Sequence, residues 1–246
     1  MSSIDLNADL GEHPGTSLDE QIMPYLSSCN IACGGHIGDA TSVRETVRLA
    51  TTHGVAIGAH PSYPDHEHFG RKIMNLQPKE LAESLKEQIQ LVRKICEEEG
   101  ALLHHVKPHG ALYNHAASDR FISELILEVL KETTKGVFWM GLAGSISEEV
   151  AKQQGFPFIA EGFADRQYEQ DGSLRSRAKN GAVLTPKEAV DQAVELAKNG
   201  RVMADDWLSV QVQSICLHGD TPGAVTLSKE IHDQLVKHGI QIASIQ

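Results

Sequence analysis

The chain reads as an α/β protein with a buried parallel sheet. Three observations predict it: short runs rich in Val, Ile and Ala alternate with longer stretches of helical period, most of those runs are continuously apolar, and each ends in a knot of small and ionisable residues. About seven runs qualify as strands by their length and β-branched content. They lie at residues 4–8, 28–33, 55–59, 102–107, 137–142, 157–162 and 214–218.

The intervening helices carry their own start and stop signals. Over residues 78–99, Leu81, Leu85, Ile89, Val92 and Cys96 fall on one face before Gly100. Thr185-Pro186-Lys187-Glu188 combines a capping box with proline at the first helical position, ahead of Val190, Ala193, Val194 and Ala197 and a stop near Gly200. Residues 118–135 and 222–237 repeat the theme. No Pro- or Ser-rich linker, low-complexity tract or short repeat marks a boundary, so residues 1–246 are expected to form one domain. Residues 60–77 and 163–184 are longer than ordinary β-α connections and are read as active-site lids.

Composition narrows the function classes. With 41% hydrophobic and 22% charged residues, the chain can bury a core and keep a polar surface. A formal net charge of -11 offers little to phosphate backbones or anionic lipid, so neither nucleic acid nor membrane is expected as a partner. No apolar run approaches the roughly 20 residues needed to span a bilayer. The start Met1-Ser2-Ser3-Ile4-Asp5 lacks the basic and apolar regions of a signal peptide, which makes the cytoplasm the expected compartment. Cys29, Cys33, Cys96 and Cys216 lack the spacing of a disulfide framework or zinc knuckle and are read as buried thiols.

The strand ends carry the chemistry. They run into Asn7-Ala8-Asp9, Cys33-Gly34-Gly35-His36, His60-Pro61-Ser62, Lys107-Pro108-His109-Gly110, Ala143-Gly144-Ser145, Glu161-Gly162-Phe163-Ala164-Asp165-Arg166 and His218-Gly219-Asp220. In parallel α/β folds the carboxyl ends of the strands open on one side, where ligands bind. One histidine there is ordinarily a structural residue, but four, with Asp9, Glu161 and Asp220 beside them, point to a solvent-filled active site. Pro108 fixes the backbone between Lys107 and His109, and a held lysine can neutralise a carboxylate or phosphate. Arg166, Arg175, Arg177 and Lys179 reverse the local charge of an acidic chain, as an anionic ligand requires, although a solvated loop would look the same. Asp5 or Asp9 with His36, His60, His109 and His218 could ligate a divalent metal ion, yet no HExxH signature is present. Neither GxxxxGK[ST] nor GxGxxG occurs, so any ATP site is unconventional or lies elsewhere.

The ordered blocks Ile4-Asp5-Leu6-Asn7-Ala8-Asp9-Leu10-Gly11-Glu12, Asn30-Ile31-Ala32-Cys33-Gly34, Gly54-Val55-Ala56-Ile57-Gly58-Ala59-His60-Pro61-Ser62, His105-Val106-Lys107-Pro108-His109-Gly110, Phe163-Ala164-Asp165-Arg166 and Cys216-Leu217-His218-Gly219-Asp220 resemble the LamB/YcsF family. Phe69-Gly70-Arg71, Gly141-Leu142-Ala143-Gly144-Ser145 and Asp171-Gly172-Ser173-Leu174 extend the resemblance almost end to end. Gly35 and Ile37 depart from the residues usual in that family. The resemblance implies a seven-stranded β/α barrel like those of sugar deacetylases and some glycoside hydrolases. It also implies one component of the ATP-dependent 5-oxoprolinase, which converts 5-oxo-L-proline to L-glutamate together with separate B and C subunits.

ATP would phosphorylate the amide oxygen, because resonance protects an unstrained lactam from water. On that reading the expected catalytic residues are Asp9, His60, Lys107, His109, Asp165 and His218. The expected substrate contacts are Asn7, His36, Tyr113, Glu161, Arg166, Arg177 and Asp220. A divalent metal held among Asp5, His36, His60 and His109 stays open. So do two rivals: a metal-dependent amidohydrolase or sugar deacetylase that needs no ATP, and a non-catalytic protein that binds lactams for its partners.

Overall fold

Alternation along the first strand sets the architecture. In β1 (Ser3–Leu10) the apolar side chains Ile4, Leu6, Ala8 and Leu10 face the helices, while Asp5, Asn7 and Asp9 make hydrogen bonds or ion pairs on the opposite face. The computed structural model describes residues 3–13, 15, 17–217 and 223–246.

The strands are β2 (Ser28–Ala32), β3 (Ala56–His60), β4 (Leu103–Val106), β5 (Phe138–Leu142), β6 (Phe158–Phe163), β7 (Arg201–Met203), β8 (Trp207–Ser209), β9 (Ser214–Leu217) and β10 (Gln241–Ile242). β1 to β6 pair in sequence order and all in parallel; β9 pairs with both β6 and β1 and closes a seven-stranded barrel. The seven expected strands are these seven, with ends shifted by a residue or two. β10 adds to the start of β1, with Ser3 opposite Gln241. β7 and β8 form an antiparallel ribbon outside the barrel, which the residue pattern did not reveal.

Eight helices wrap the described barrel: α1 (Ser17–Ile22), α2 (Ala40–His53), α3 (Pro78–Glu98), α4 (Gly110–Ser118), α5 (Arg120–Thr133), α6 (Ile146–Gln153), α7 (Pro186–Asn199) and α8 (Ala224–Lys237). Thr185 and Glu188 form the expected capping box of α7, and Gly200 ends it in the left-handed region. The helix expected over 118–135 is α5, which starts after Asp119 leaves helical geometry and caps it through Ile122 N; α4, just ahead of it, was not expected. Of the helix expected over 222–237, Pro222 lies outside the described residues. No helix among the described residues is long and apolar enough to cross a membrane.

The apolar core lies between barrel and helices, and the barrel interior is polar. Asp5 accepts from Ser27 Oγ (2.6 Å), Ser28 Oγ (2.7 Å) and Ser214 Oγ at the lower end. One layer up, Asn7 Nδ2 donates to Glu161 (2.9 Å) and Ser214 (2.8 Å), and Asn30 Nδ2 donates to Asn7 Oδ1 (2.8 Å). His105 Nε2 donates to Asn30 Oδ1 at 2.8 Å. A side chain at Gly58 would meet that imidazole, with a Cβ 2.2 Å from Nε2, so glycine makes room for the ring. Such satisfied networks fix a barrel's packing because any unpaired member would be expensive.

Candidate active site

At the upper, carboxyl end of the barrel the network opens into a cavity of about 1030 Å³. Its wall includes Asp9, Glu12, His60, Arg71, Lys107 and His109, with Tyr113, Arg166 and Arg177 farther round. Lys107 is 2% exposed, too buried to remain charged unless paired. Its Nζ reaches Asp9 Oδ1 (3.0 Å), Glu161 Oε1 (2.9 Å), Asn7 Oδ1 (3.3 Å) and Cys216 Sγ (3.1 Å), beside the Phe163 ring. Burial disfavours the ammonium, but Asp9, Cys216 and Glu161 outweigh it and hold the lysine well above its ordinary range. Tyr113 OH donates to Glu161 Oε2 at 2.7 Å, and burial with that carboxylate pushes the phenol well up.

Three histidines stand beside the lysine, and backbone carbonyls fix two of their tautomers. His60 Nδ1 donates to Lys107 O (2.8 Å) and His109 Nε2 donates to Phe69 O (3.0 Å). Their other nitrogens, His60 Nε2 and His109 Nδ1, face each other at 3.0 Å. Two bare lone pairs repel at that distance, so one shared proton or a metal cation has to lie between them. Asp9 Oδ2 lies 3.3 Å from His60 Nε2, and Glu12 Oε1 lies 3.5 Å from His109 Nδ1. Carbonyl-oriented imidazoles with a carboxylate alongside are a ligand set suited to a divalent ion.

His36 stacks on His109, 3.8 Å between centroids, and bonds Glu12 through Nε2 at 2.9 Å. Its Nδ1 is buried with no hydrogen-bond partner among the described residues. Burial lowers His36, and burial with the charges of His60 and His36 holds His109 well below the usual histidine range. The carbonyl that orients His109 comes from a left-handed residue, Phe69 at φ 55°. Gly110 closes against the same loop: a Cβ there would sit 2.7 Å from Gly70 O.

Residues 4–246 match the model of the LamB/YcsF family. This chain belongs to that family. It is 43% identical over 248 residues to the 5-oxoprolinase A subunit of Shouchella clausii, covering 98% of each chain. It is 40% identical over 245 residues to the protein of that name in Pyrococcus furiosus, covering 97% of this chain and 96% of the relative. The lactam utilization protein of Thermus thermophilus, a solved structure, superposes with a TM-score of 0.92 at 37% identity, covering 99% of this chain and 100% of that one.

The LamB/YcsF sequence blocks supply most of this cavity's wall, but not every expected residue reaches it. Asp9, His60, Lys107, His109, Tyr113, Arg166 and Arg177 line it. Asn7 and Glu161 lie beneath the floor, with their polar atoms committed to Lys107, Tyr113, Asn30 and Ser214; they position the floor and do not offer themselves to a ligand. His36 lies behind His109, outside the wall. Asp165 is buried and does not line the cavity. Arg166 donates to Ala182 O (3.1 Å) and Arg175 O (2.7 Å), so much of its fork staples residues 163–184.

Asp5 sits at the other end of the barrel from the histidines, bonded to three serines, which corrects its candidacy as a metal ligand. His218 and Asp220 lie outside the described residues. Both long connections border the cavity, the first through Arg71 and the second through Arg166 and residues 171–178. Glu12 was missed as a wall residue, and Asn30 as a support of Asp9 beneath the floor. Asn30 falls in step with Ser28 on a strand whose alternate residues are apolar, a signal the sequence does contain. All four cysteines are buried and free, and Cys216 touches Lys107.

Proposed function

We propose that this chain is the A subunit of a cytoplasmic ATP-dependent 5-oxoprolinase, working with the B and C subunits to open 5-oxo-L-proline to L-glutamate. The observation that carries this reading is the buried Lys107 ammonium, held by Asp9 and Glu161 at a cavity floor beside the His60–His109 pair. ATP serves the complex as phosphoryl donor, turning the lactam oxygen into part of a leaving group. Lys107 faces the phosphate oxygens of the O-phosphorylated lactam and neutralises their charge. Arg177, exposed on the cavity wall, takes the carboxylate or phosphate.

Asp9 accepts the proton of a water that adds to the phosphorylated carbon, and the proton between His60 and His109 passes to the ring nitrogen as the carbon–nitrogen bond breaks. The γ-glutamyl phosphate so formed is hydrolysed by a second water to L-glutamate and inorganic phosphate. His218 and Asp165 stand by sequence position at the same strand ends. The test is glutamate release from 5-oxoproline with ATP, using this chain alone, B and C alone, and all three together. Release only from the complete mixture is expected; no release from folded proteins overturns the reading.

One observation favours a second reading, a metal-dependent amidohydrolase. Asp9, His60 and His109 each present a ligand atom within 4.8 Å of the others, and would hold a divalent ion. Such an ion would supply Lewis acidity toward the lactam oxygen. That reading expects stoichiometric metal by elemental analysis and ATP-independent hydrolysis abolished by a chelator.

A further inference from the structure

The β7–β8 ribbon has two unlike sides. Leu208, Ser209, Val210 and Gln211 line the cavity. Met203 and Trp207, directly opposite each other across the ribbon, are each 44% exposed. Trp207 is held in place: the Arg201 guanidinium stacks on its indole at 3.9 Å and is itself tied to Glu195 at 2.7 Å. Val183, on the connection beside it, is also 44% exposed. Gln167 Nε2 binds Met203 O and Gln170 Oε1 accepts from Asp206 N, so ribbon and cavity border form one surface. Asp205 and Asp206 leave the ribbon's tip acidic and exposed.

An immobilised tryptophan backed by arginine and paired with methionine is the composition of an interface anchor, since such residues contribute most binding energy per contact. We infer that the ribbon is the docking element for the partner protein that supplies the activated substrate, an inference that rests on the 5-oxoprolinase assembly proposed above. That partner surface is an apolar cleft whose rim carries Lys or Arg, complementary to Asp205 and Asp206 in a chain of net charge -11. Docking there seats the partner at the cavity mouth, where a hydrolysable intermediate passes across with little contact with bulk water.

The experiment titrates the B and C subunits into this chain, following both complex formation and glutamate release. Three forms are compared: wild type, the double variant M203A/W207A, and L102A, which removes an equally apolar residue 85% exposed just before β4. The double variant should need at least ~10-fold more partner for half-assembly, because truncating two anchors is worth about that factor or more. It should regain wild-type turnover at saturating partner, and L102A should match wild type throughout. Equal assembly of wild type and double variant overturns the inference while leaving the 5-oxoprolinase reading standing. So does a turnover defect that saturation does not cure, or an equal loss in L102A. Failure of wild type itself to assemble or turn over overturns both.

Discussion

Asp5 and Asp9 point into the barrel from one strand, four residues and roughly 13 Å apart at the usual β rise. Asp5 is 1% exposed and ringed by three hydroxyls, and burial raises its carboxyl above the ordinary range despite those bonds. Asp9 meets the Lys107 ammonium, the Asn30 amide (2.9 Å) and His60. The two ends of the barrel therefore use the same side chain differently. Below, every polar group is consumed by another protein group, and the cluster can only hold the strands in register. Above, a lysine and two histidines are fixed from behind while their reactive side borders open space. Preorganisation from below is what allows the upper groups to act without first rearranging.

The largest effect should come from cutting the link between the two ends. Lys107→Met removes the cation that Asp9 and Glu161 share, leaving two carboxylates buried without it. Breaking such a buried pair costs about 3–5 kcal/mol, to be read from urea unfolding. Glutamate release by the reconstituted complex should fall by on the order of 10²–10³, as for loss of one transition-state donor. Turnover within a few-fold of wild type would show that Lys107 only supports the barrel.

The two ends also differ in how far the sequence discloses them. Parallel strands and helical periods were legible because every barrel strand turns apolar side chains toward the helix layer and the helices between carry their own caps and stops. Convergence of Asp9, His60, Lys107 and His109 followed from strand polarity alone. Layering did not. Asp5, Asn7 and Asp9 share one face, and only the registers of β2 and β9 against β1, with Lys107 reaching across from the end of β4, decide which meets three serines and which meets a lysine. Glu161 looked like a ligand contact for the same reason, since its place below Lys107 depends on the stagger between β4 and β6. The β7–β8 ribbon escaped because three-residue strands carry too little alternation to register.

A middle-sized effect concerns acid. His109 is held well below the histidine range by burial and by the charges of His60 and His36, and burial lowers His36 as well. The unfolded chain therefore binds more protons than the folded one once pH drops below about 6.5, the ordinary histidine value. Stability contributed by the neutral rings is present above that pH and is lost as pH falls through the depressed values. Melting temperatures at pH 7.5 and 5.5 should show a drop in wild type that His109→Asn makes smaller. An unchanged drop in the variant would place the acid sensitivity elsewhere in the barrel.

The smallest effect should be at Asp5, and it is the sharpest test of the comparison. Asp5→Asn keeps the shape and one carbonyl acceptor among Ser27, Ser28 and Ser214, and it removes a charge that burial disfavours. The raised carboxyl means that Asp5 contributes stability below its unfolded value, near 3.8, and loses it as pH rises through the folded value. At pH 7 the neutral amide should therefore change unfolding free energy by no more than about 1 kcal/mol, the usual net worth of one rearranged hydrogen bond. Glutamate release should stay within about two-fold of wild type, because no atom of Asp5 reaches the cavity wall. Asp9→Asn, the same chemical change two layers higher, should instead lose turnover by on the order of 10²-fold or more as general-base function disappears. Equal losses in the two variants would mean that the lower cluster governs the geometry of Lys107 through Asn7, and that the barrel interior acts as one unit with no division between its ends.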